Sequence, residues 1–119
     1  MYFFDSYAIV ELLAGNPHYA RFAKEPVTLS IFNLVEIYWS VLHTADKPTA
    51  DKVYAQYAPA VVELPEDVVK AAVEFRKKHK RLDVSYADCI GYIYAQKHGL
   101  MFLTGDKAFK DVDGVEFVK

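Results

Sequence analysis

Four acidic residues stand along the chain where their side chains could bind a metal ion together. Asp5 follows a short apolar run at the start of the chain, and Asp106 follows another near its end. Glu36 and Asp88 lie in segments with a helical pattern, each after a turn. Carboxylate oxygens are the ligands that hard cations such as Mg²⁺ and Mn²⁺ prefer. Such a set could activate a water molecule for hydrolysis.

The other common metal ligands do not form a cluster in this sequence. The single cysteine, Cys89, excludes an intrachain disulfide and a thiolate cluster. The four histidines lie far apart, without the close spacing of a zinc site. If the protein binds a metal ion, its ligands must therefore be carboxylates.

Each acid also has an ordinary structural interpretation. Asp5 could cap the helix that begins near Tyr7, and Asp106 could cap the short turn that follows it. Ser85 and Asp88 have the outline of a capping box, in which the acid reaches back to the N-cap amide. The metal hypothesis therefore rests on the joint placement of the acids and not on any one of them.

Glu36 lies on a helix with Asn33 and Ser40, at the spacing of a polar stripe. That stripe could be a solvent-facing edge. Its neighbours are mostly large and apolar, however, so we expect this helix to be buried on most sides, with Tyr38 and Trp39 used for packing. No Lys or Arg lies within four residues of Glu36. A mostly buried carboxylate without a cationic partner is costly, and a metal ion would offset that cost.

Short apolar runs alternate with helical segments, which predicts an α/β fold in three layers, with a short, mostly parallel central sheet of about five strands. Ligands of such sheets bind beyond the carboxyl ends of the strands, where Asp5 and Asp106 would lie. Gly105 would allow a tight turn there, and Lys47-Pro48 would separate two helices. The predicted strands are 2–5, 26–29, 60–64, 100–104 and 115–118. The predicted helices are 8–14, 18–24, 31–44, 49–57, 65–78 and 86–97.

The chain has 119 residues, of which 53% are hydrophobic and 25% charged. These values predict one domain, 1–119, with a continuous core. No apolar run approaches the roughly 20 residues of a membrane span. Asp5 stands where a secretory leader would be basic, so we expect a cytoplasmic protein.

Positive charge is concentrated in the run 76–81, although the net charge of −2 does not by itself indicate a nucleic-acid-binding protein. Such a run is often a solvated helix end. Lys107 and Lys110 lie just after Asp106. If the chemistry involves a nucleic acid, all of these side chains become candidates for phosphate contacts.

Three segments together resemble the PIN-domain ribonucleases, and in length and layout the chain is similar to the VapC-type toxins of toxin–antitoxin pairs. The segments are Phe4–Leu13, Ser30–Glu36 and Ser85–Phe109. The last is the most specific, since it joins an acid at a helix start to a strand that ends in Thr-x-Asp. The resemblance covers essentially the whole chain.

The resemblance implies a PIN-like fold and a ribonuclease that uses Mg²⁺ or Mn²⁺, with RNA as its substrate. It also implies a homodimer and a cognate antitoxin protein that covers the active site. Gly105 departs from the family, which often has a basic or polar residue there, and this removes one phosphate contact. The acidic quartet, as catalytic and metal-binding residues, falls on Asp5, Glu36, Asp88 and Asp106. Residues expected to orient the carboxylates are Ser6 and Thr104, and candidates for RNA contacts are Lys77, Lys78, Lys80, Arg81, Lys107 and Lys110.

Other functions fit the sequence less well. A haloacid-dehalogenase-like phosphatase needs an acid two residues after Asp5, where this chain has Tyr7. A receiver domain needs an Asp after its third strand, and the segment 60–65 does not supply one. The alternative that stays open is a non-catalytic PIN-like module that only binds RNA or a protein.

Overall fold

A parallel sheet forms the centre of the computed structural model, which describes residues 1–119. Its strands are β1 (Tyr2–Phe4), β2 (Met101–Thr104) and β3 (Val115–Phe117), in the spatial order β1-β2-β3. β1 and β2 pair with Phe4 beside Leu103, so both strands end at the same edge. That edge is where Asp5 and Thr104 meet.

Five helices surround the sheet: α1 (Ser6–Leu13), α2 (Ile31–Thr44), α3 (Lys47–Tyr57), α4 (Glu66–Lys78) and α5 (Tyr86–Lys97). Short 3₁₀ segments occur at Pro17–Phe22, Ala58–Ala60, Lys80–Leu82 and Lys107–Phe109. Ser30 and Ser85 cap α2 and α5 through their side chains, as predicted. None of these helices has both the length and the apolar character needed to cross a membrane.

Apolar side chains cover both faces of the sheet, because neighbouring residues of a strand point in opposite directions. Phe4 and Leu103 pack in one cluster with residues of α1, α2 and α3. Phe3 and Phe102 pack in a second cluster with residues of α4 and α5. The predicted three-layer α/β/α arrangement is therefore confirmed.

The prediction of about five strands was too high. The segments 26–29 and 60–64 form no strands and meet only in one parallel bridge, between Leu29 and Val61. Thr28 accepts one further bond, from the Phe4 N–H. Prolines at positions 26, 59 and 65 lack an N–H group, so these segments cannot extend a ladder of hydrogen bonds.

Two helix boundaries also differ from the prediction. Lys47-Pro48 does not separate helices but forms the first turn of α3, where a missing N–H costs nothing, and Asp46 caps that turn. The second predicted helix, 18–24, is the 3₁₀ turn Pro17–Phe22, with Pro17 at its start and Asn16 as its cap.

Gly91 lets α5 approach the sheet closely. A Cβ atom placed there would lie 2.6 Å from Cε1 of Phe3 and 2.9 Å from Cε1 of Phe102. Both rings are fully buried, so they have little room to move.

We expect Gly91→Ala to lower the free energy of unfolding. The clash costs about 1–3 kcal/mol, which exceeds the gain of up to about 1 kcal/mol from the higher helix propensity of alanine. Urea denaturation measures the difference, with the exposed Gln96→Ala on the same helix as control. If Gly91→Ala is as stable as the natural protein, the two rings do not limit the approach of α5.

Candidate active site

Asp5 is held at the junction of β1 and β2. Its side chain is only 3% exposed. One carboxyl oxygen accepts a hydrogen bond from the Ser6 N–H at 2.8 Å, and the other accepts one from the Thr104 hydroxyl at 2.7 Å. The Asp5 N–H donates to the Leu103 carbonyl at 3.0 Å. The predicted cap of α1 is thus confirmed, and it places the same carboxylate at the edge of the sheet.

Thr104 connects this carboxylate to the loop that carries Asp106. The Thr104 side chain is fully buried. Its hydroxyl donates to Asp5 and accepts a hydrogen bond from the Asp106 N–H at 3.1 Å. Asp106 caps the following 3₁₀ turn, accepting from the Ala108 N–H at 3.0 Å. One buried hydroxyl therefore fixes the positions of two acids.

Gly105 serves close packing and not, as predicted, a tight turn. Its φ angle is not among the positive ones. A Cβ atom there would lie 2.3 Å from the ring of Tyr7 and 2.4 Å from the Val118 carbonyl oxygen. Any larger residue would displace the chain between Thr104 and Asp106.

Ser6 links Glu36 of α2 to the sheet edge. Its hydroxyl donates to Glu36 Oε1 at 2.5 Å and accepts from the Asn33 amide at 3.1 Å. Asn33 is fully buried and completes a capping box with Ser30. The three predicted polar residues of α2 thus have different roles, because Ser40 only lines the cleft beside them.

The prediction that α2 is buried on most sides was wrong, and so was the mostly buried position of Glu36. Glu36 is exposed, as are Phe32 (43%), Val35 (58%) and Trp39 (65%). The buried stripe is formed by Asn33 and the apolar residues that follow it at helical spacing. The exposed side of α2 is as rich in apolar residues as the buried stripe, so hydrophobicity alone does not identify which side is buried.

Asp88 lies at the start of α5, inside the capping box that the sequence predicts. Its Oδ2 accepts from the Ser85 N–H at 2.9 Å, and the Asp88 N–H donates to the Ser85 hydroxyl at 3.1 Å. Asp88 also lines the cleft with Asp5, so its role as a cap is compatible with a role in the chemistry.

All four predicted acids line one open cleft of about 740 Å³. Its wall includes no Lys or Arg, and none of the four acids forms an ion pair. Glu11 and Asp83 add two more acids to the wall. An anionic cleft at the carboxyl ends of parallel strands is where this class of fold binds its ligands.

The sequence profile of the PIN domain matches residues 2–115 of the chain. The chain belongs to the PIN domain family. The resemblance found in the sequence is therefore confirmed, and with it the PIN-like fold class. No curated protein matches the chain in sequence.

Solved structures of similar fold include a VapC toxin and a toxin–antitoxin complex. VapC20 of Mycobacterium tuberculosis, a sarcin–ricin loop-cleaving toxin, has a TM-score of 0.80 at 22% identity, with 100% of both chains covered. A toxin–antitoxin complex from Klebsiella pneumoniae has a TM-score of 0.76 at 18% identity, over 98% of this chain and 96% of that one. FitAcB from Neisseria gonorrhoeae has a TM-score of 0.72 at 20% identity, over 98% and 96%. At these identities the likeness establishes the fold.

Burial and mutual repulsion raise the pKa values of three acids of this PIN domain. Loss of water, followed by the charge of Asp88, raises the pKa of Asp5 from 3.8 to about 8, although Thr104 and Ser6 donate to it. Burial also raises the pKa of Asp88, against the hydrogen bonds from Ser85. The pKa of Glu36 is raised by the partial burial of its carboxyl end, because that end faces the cleft although the residue as a whole is exposed.

The donor chemistry of the cleft fits a hard divalent cation. Carboxylates that repel one another and have no cationic partner gain most from such an ion. In the present arrangement no three acidic, His or Cys side chains lie close enough to hold one ion together. Ligation would therefore need the carboxyl groups to move inward, and the metal site stays a prediction.

The candidates for RNA contacts lie outside the cleft. None of them lines it, all are exposed and none forms an ion pair. Lys80 lines a neighbouring cavity of about 220 Å³ with Arg76 and His79, and Asp83 belongs to both cavities. Arg76 is engaged in structure, since its Nε donates to the Val84 carbonyl at 3.0 Å. The candidates are Lys77, Lys78, Lys80, Arg81, Lys107 and Lys110.

Trp39 also lines the cleft, and the packing role that we expected for it was the wrong choice. The residue is 65% exposed. Its position three residues after Glu36, on the same face of a helix, was the available signal. Tyr38 does pack, against Tyr54, and donates to Asp51 at 2.7 Å.

We expect the metal-free protein to lose stability as the pH rises, and Asp5→Asn to remove much of that loss. The folded-state pKa of Asp5, about 8, lies above its usual 3.8. Asp5 therefore favours folding below about pH 4, and this contribution is lost as the pH rises through 8. As the pH rises from 5 to 9, the free energy of unfolding of Asp5→Asn should increase by at least about 1 kcal/mol relative to that of the natural protein.

Urea denaturation in chelator at both pH values provides the measurement. Asp111→Asn, at an exposed surface carboxyl, is the matched control. A difference between Asp5→Asn and the natural protein that does not change with pH would show that the pKa of Asp5 is not raised.

Proposed function

We propose that this PIN domain is a ribonuclease that depends on Mg²⁺ or Mn²⁺ and hydrolyses RNA phosphodiester bonds. The observation that carries the proposal is the convergence of Asp5, Glu36, Asp88 and Asp106 on one cleft without a cationic partner. Membership of the PIN family supports nuclease chemistry. We also propose that residues 1–119 function as a single domain.

The four acids would have different roles. Asp5 and Asp88 are fixed by hydrogen bonds at the ends of secondary structure elements, which suits direct metal ligands. Glu36 lies on an exposed helix face, so it can bind directly, act through water or orient the nucleophile, and Asp106 has the same options. A bound divalent ion would supply the acidity that activates water and the charge that neutralises the phosphate.

Ser6 and Thr104 would orient these carboxylates. The Thr104 hydroxyl donates to Asp5, and the Ser6 hydroxyl donates to Glu36. Hydrogen bonds of this kind fix a ligand's orientation and raise metal affinity.

RNA would reach the cleft past the exposed basic side chains. Lys80 and Arg81 in the 3₁₀ turn after α4, with Lys107 and Lys110 near Asp106, can contact phosphates without reading sequence. Lys77 and Lys78 belong to the same basic run and are proposed for the same role.

We further propose that the protein is the toxin of a type II toxin–antitoxin pair, acts in the cytoplasm as a homodimer and is inhibited by a cognate antitoxin. Structures of similar fold include a toxin–antitoxin complex from Klebsiella pneumoniae and VapBC2 of Rickettsia felis bound to a promoter DNA fragment. The exposed apolar side chains of α2 leave a surface that a protein partner could cover. A short open reading frame immediately upstream, encoding a DNA-binding protein, would support the pairing.

We expect the natural protein to cleave single-stranded RNA in Mg²⁺ or Mn²⁺, with the activity abolished by chelator. Asp5→Asn should lower the rate at least about 100-fold, because it removes a proposed ligand of the ion that activates the water. Asp111→Asn, purified in the same way, should retain full activity. The measurement is the cleavage rate of labelled RNA.

Two results would count against this function. Cleavage by folded Asp5→Asn at the natural rate would mean a contaminant or another site. Absence of cleavage, together with no heat of metal binding in calorimetry, would favour the non-catalytic module that binds RNA or protein.

A further inference from the structure

Trp39 stands at the wall of the acidic cleft with much of its indole ring free. It lines the cleft with Glu36, one helical turn before it on α2, and is 65% exposed. An exposed aromatic ring at the wall of a cleft offers a flat face on which another ring can stack.

His43 stacks on the indole ring of Trp39. The two rings are stacked, with centroids 5.0 Å apart and planes inclined by 8°. His43 is one turn further along α2 and covers one face of the indole, so the exposed area belongs to the rest of the ring. The exposed part of a large flat ring of this kind can stack on another ring.

The cleft wall offers no positive charge of its own for holding a nucleic acid. Its wall contains six acidic residues and no Lys or Arg, so phosphates are repelled there in the absence of a metal ion. Stacking of a base on an aromatic ring does not require positive charge. The bases of single-stranded RNA are free to stack in this way, whereas those of a duplex are already paired and stacked.

We propose that Trp39 is a substrate-binding residue that stacks on a base of single-stranded RNA next to the bond that is cleaved. The proposal rests on the ribonuclease function proposed above and adds to it the side chain that would hold a base of the substrate. A protein partner is the rival occupant of Trp39. A partner covering the apolar face of α2 would also contact Phe32, which is 43% exposed but does not line the cleft. A base in the cleft would contact Trp39 but not Phe32.

Trp39 is the only tryptophan of the chain, so its fluorescence reports directly on this contact. The test uses the Asp5→Asn protein, which keeps the RNA intact, and a labelled oligoadenylate of about ten nucleotides, within the site sizes known for single-strand binding. We expect saturable quenching by the single strand and much weaker quenching by a duplex of the same length.

Substitutions then measure the contribution of the ring. Trp39→Ala should weaken binding, measured by anisotropy of the labelled RNA, roughly 5- to 150-fold. Trp39→Phe should retain most of the affinity, and Phe32→Ala, an exposed aromatic residue on the same helix, should stay within about twofold of the parent. Replacing one nucleotide at a time by an abasic one should locate the stacked base. Removal of that base should weaken RNA binding by the parent protein but not by Trp39→Ala.

The proposal is overturned if the RNA binds without quenching, or if Trp39→Ala binds it as tightly as the parent. Equal losses from Trp39→Ala and Phe32→Ala would also overturn it, because RNA would then lie along the whole apolar face. These results are separate from the test of the enzyme. If the natural protein and Trp39→Ala cleave RNA with the same KM, only the stacking is refuted. If RNA quenches the fluorescence of the natural protein but is not cleaved in Mn²⁺, only the ribonuclease function is refuted.

Discussion

The hydrogen bond from the Thr104 hydroxyl to the Asp5 carboxyl, 2.7 Å long and fully buried, joins the carboxyl ends of β1 and β2 at the edge of the sheet. It depends on the register of β1 against β2, because a shift of one residue would turn Thr104 to the opposite face. It also places an acid in the interior with no cation beside it. A buried carboxylate of this kind destabilises the fold when ionised, and the hydrogen bonds from Thr104 and Ser6 offset only part of that cost.

Two of the other acids, Asp88 and Asp106, are placed by the hydrogen bonds that start helical segments. Asp88 closes a capping box with Ser85, and Asp106 caps the turn after β2. Capping and chemistry are therefore not competing explanations. A helix cap holds a short acidic side chain in one orientation, and parallel strands bring several such caps to one edge. The site follows from ordinary rules of local structure applied at neighbouring positions.

Helix α2 shows how one element can serve both the core and the cleft. Asn33, Leu34, Ile37 and Val41 face inward, while Glu36 and Trp39 face the cleft. The outer face keeps several large apolar side chains in contact with water, at a cost in solubility that natural proteins accept mainly where something binds. Stability comes from the inner stripe, and the outer stripe is available for recognition.

The sequence by itself determined the α/β class and the caps at Ser30 and Ser85, because periodicity and cap residues are local signals. It also predicted that four acids lie together, although for Glu36 that prediction rested on the family resemblance and on a burial that the structure does not show. It did not determine the number of strands, because strand pairing depends on which segments meet in the fold. Residues 26–29 and 60–64, bounded by prolines 26, 59 and 65, meet in a single bridge. The reason for Gly105 was also not local, because Tyr7 and Val118 approach it from distant parts of the chain. Tertiary structure alone decided which of two apolar stripes of α2 is buried, and with it the exposure of Glu36 and Trp39. The physical reason is that burial is a property of packing partners, and the hydrophobicity of a helix face does not specify which partners it will meet.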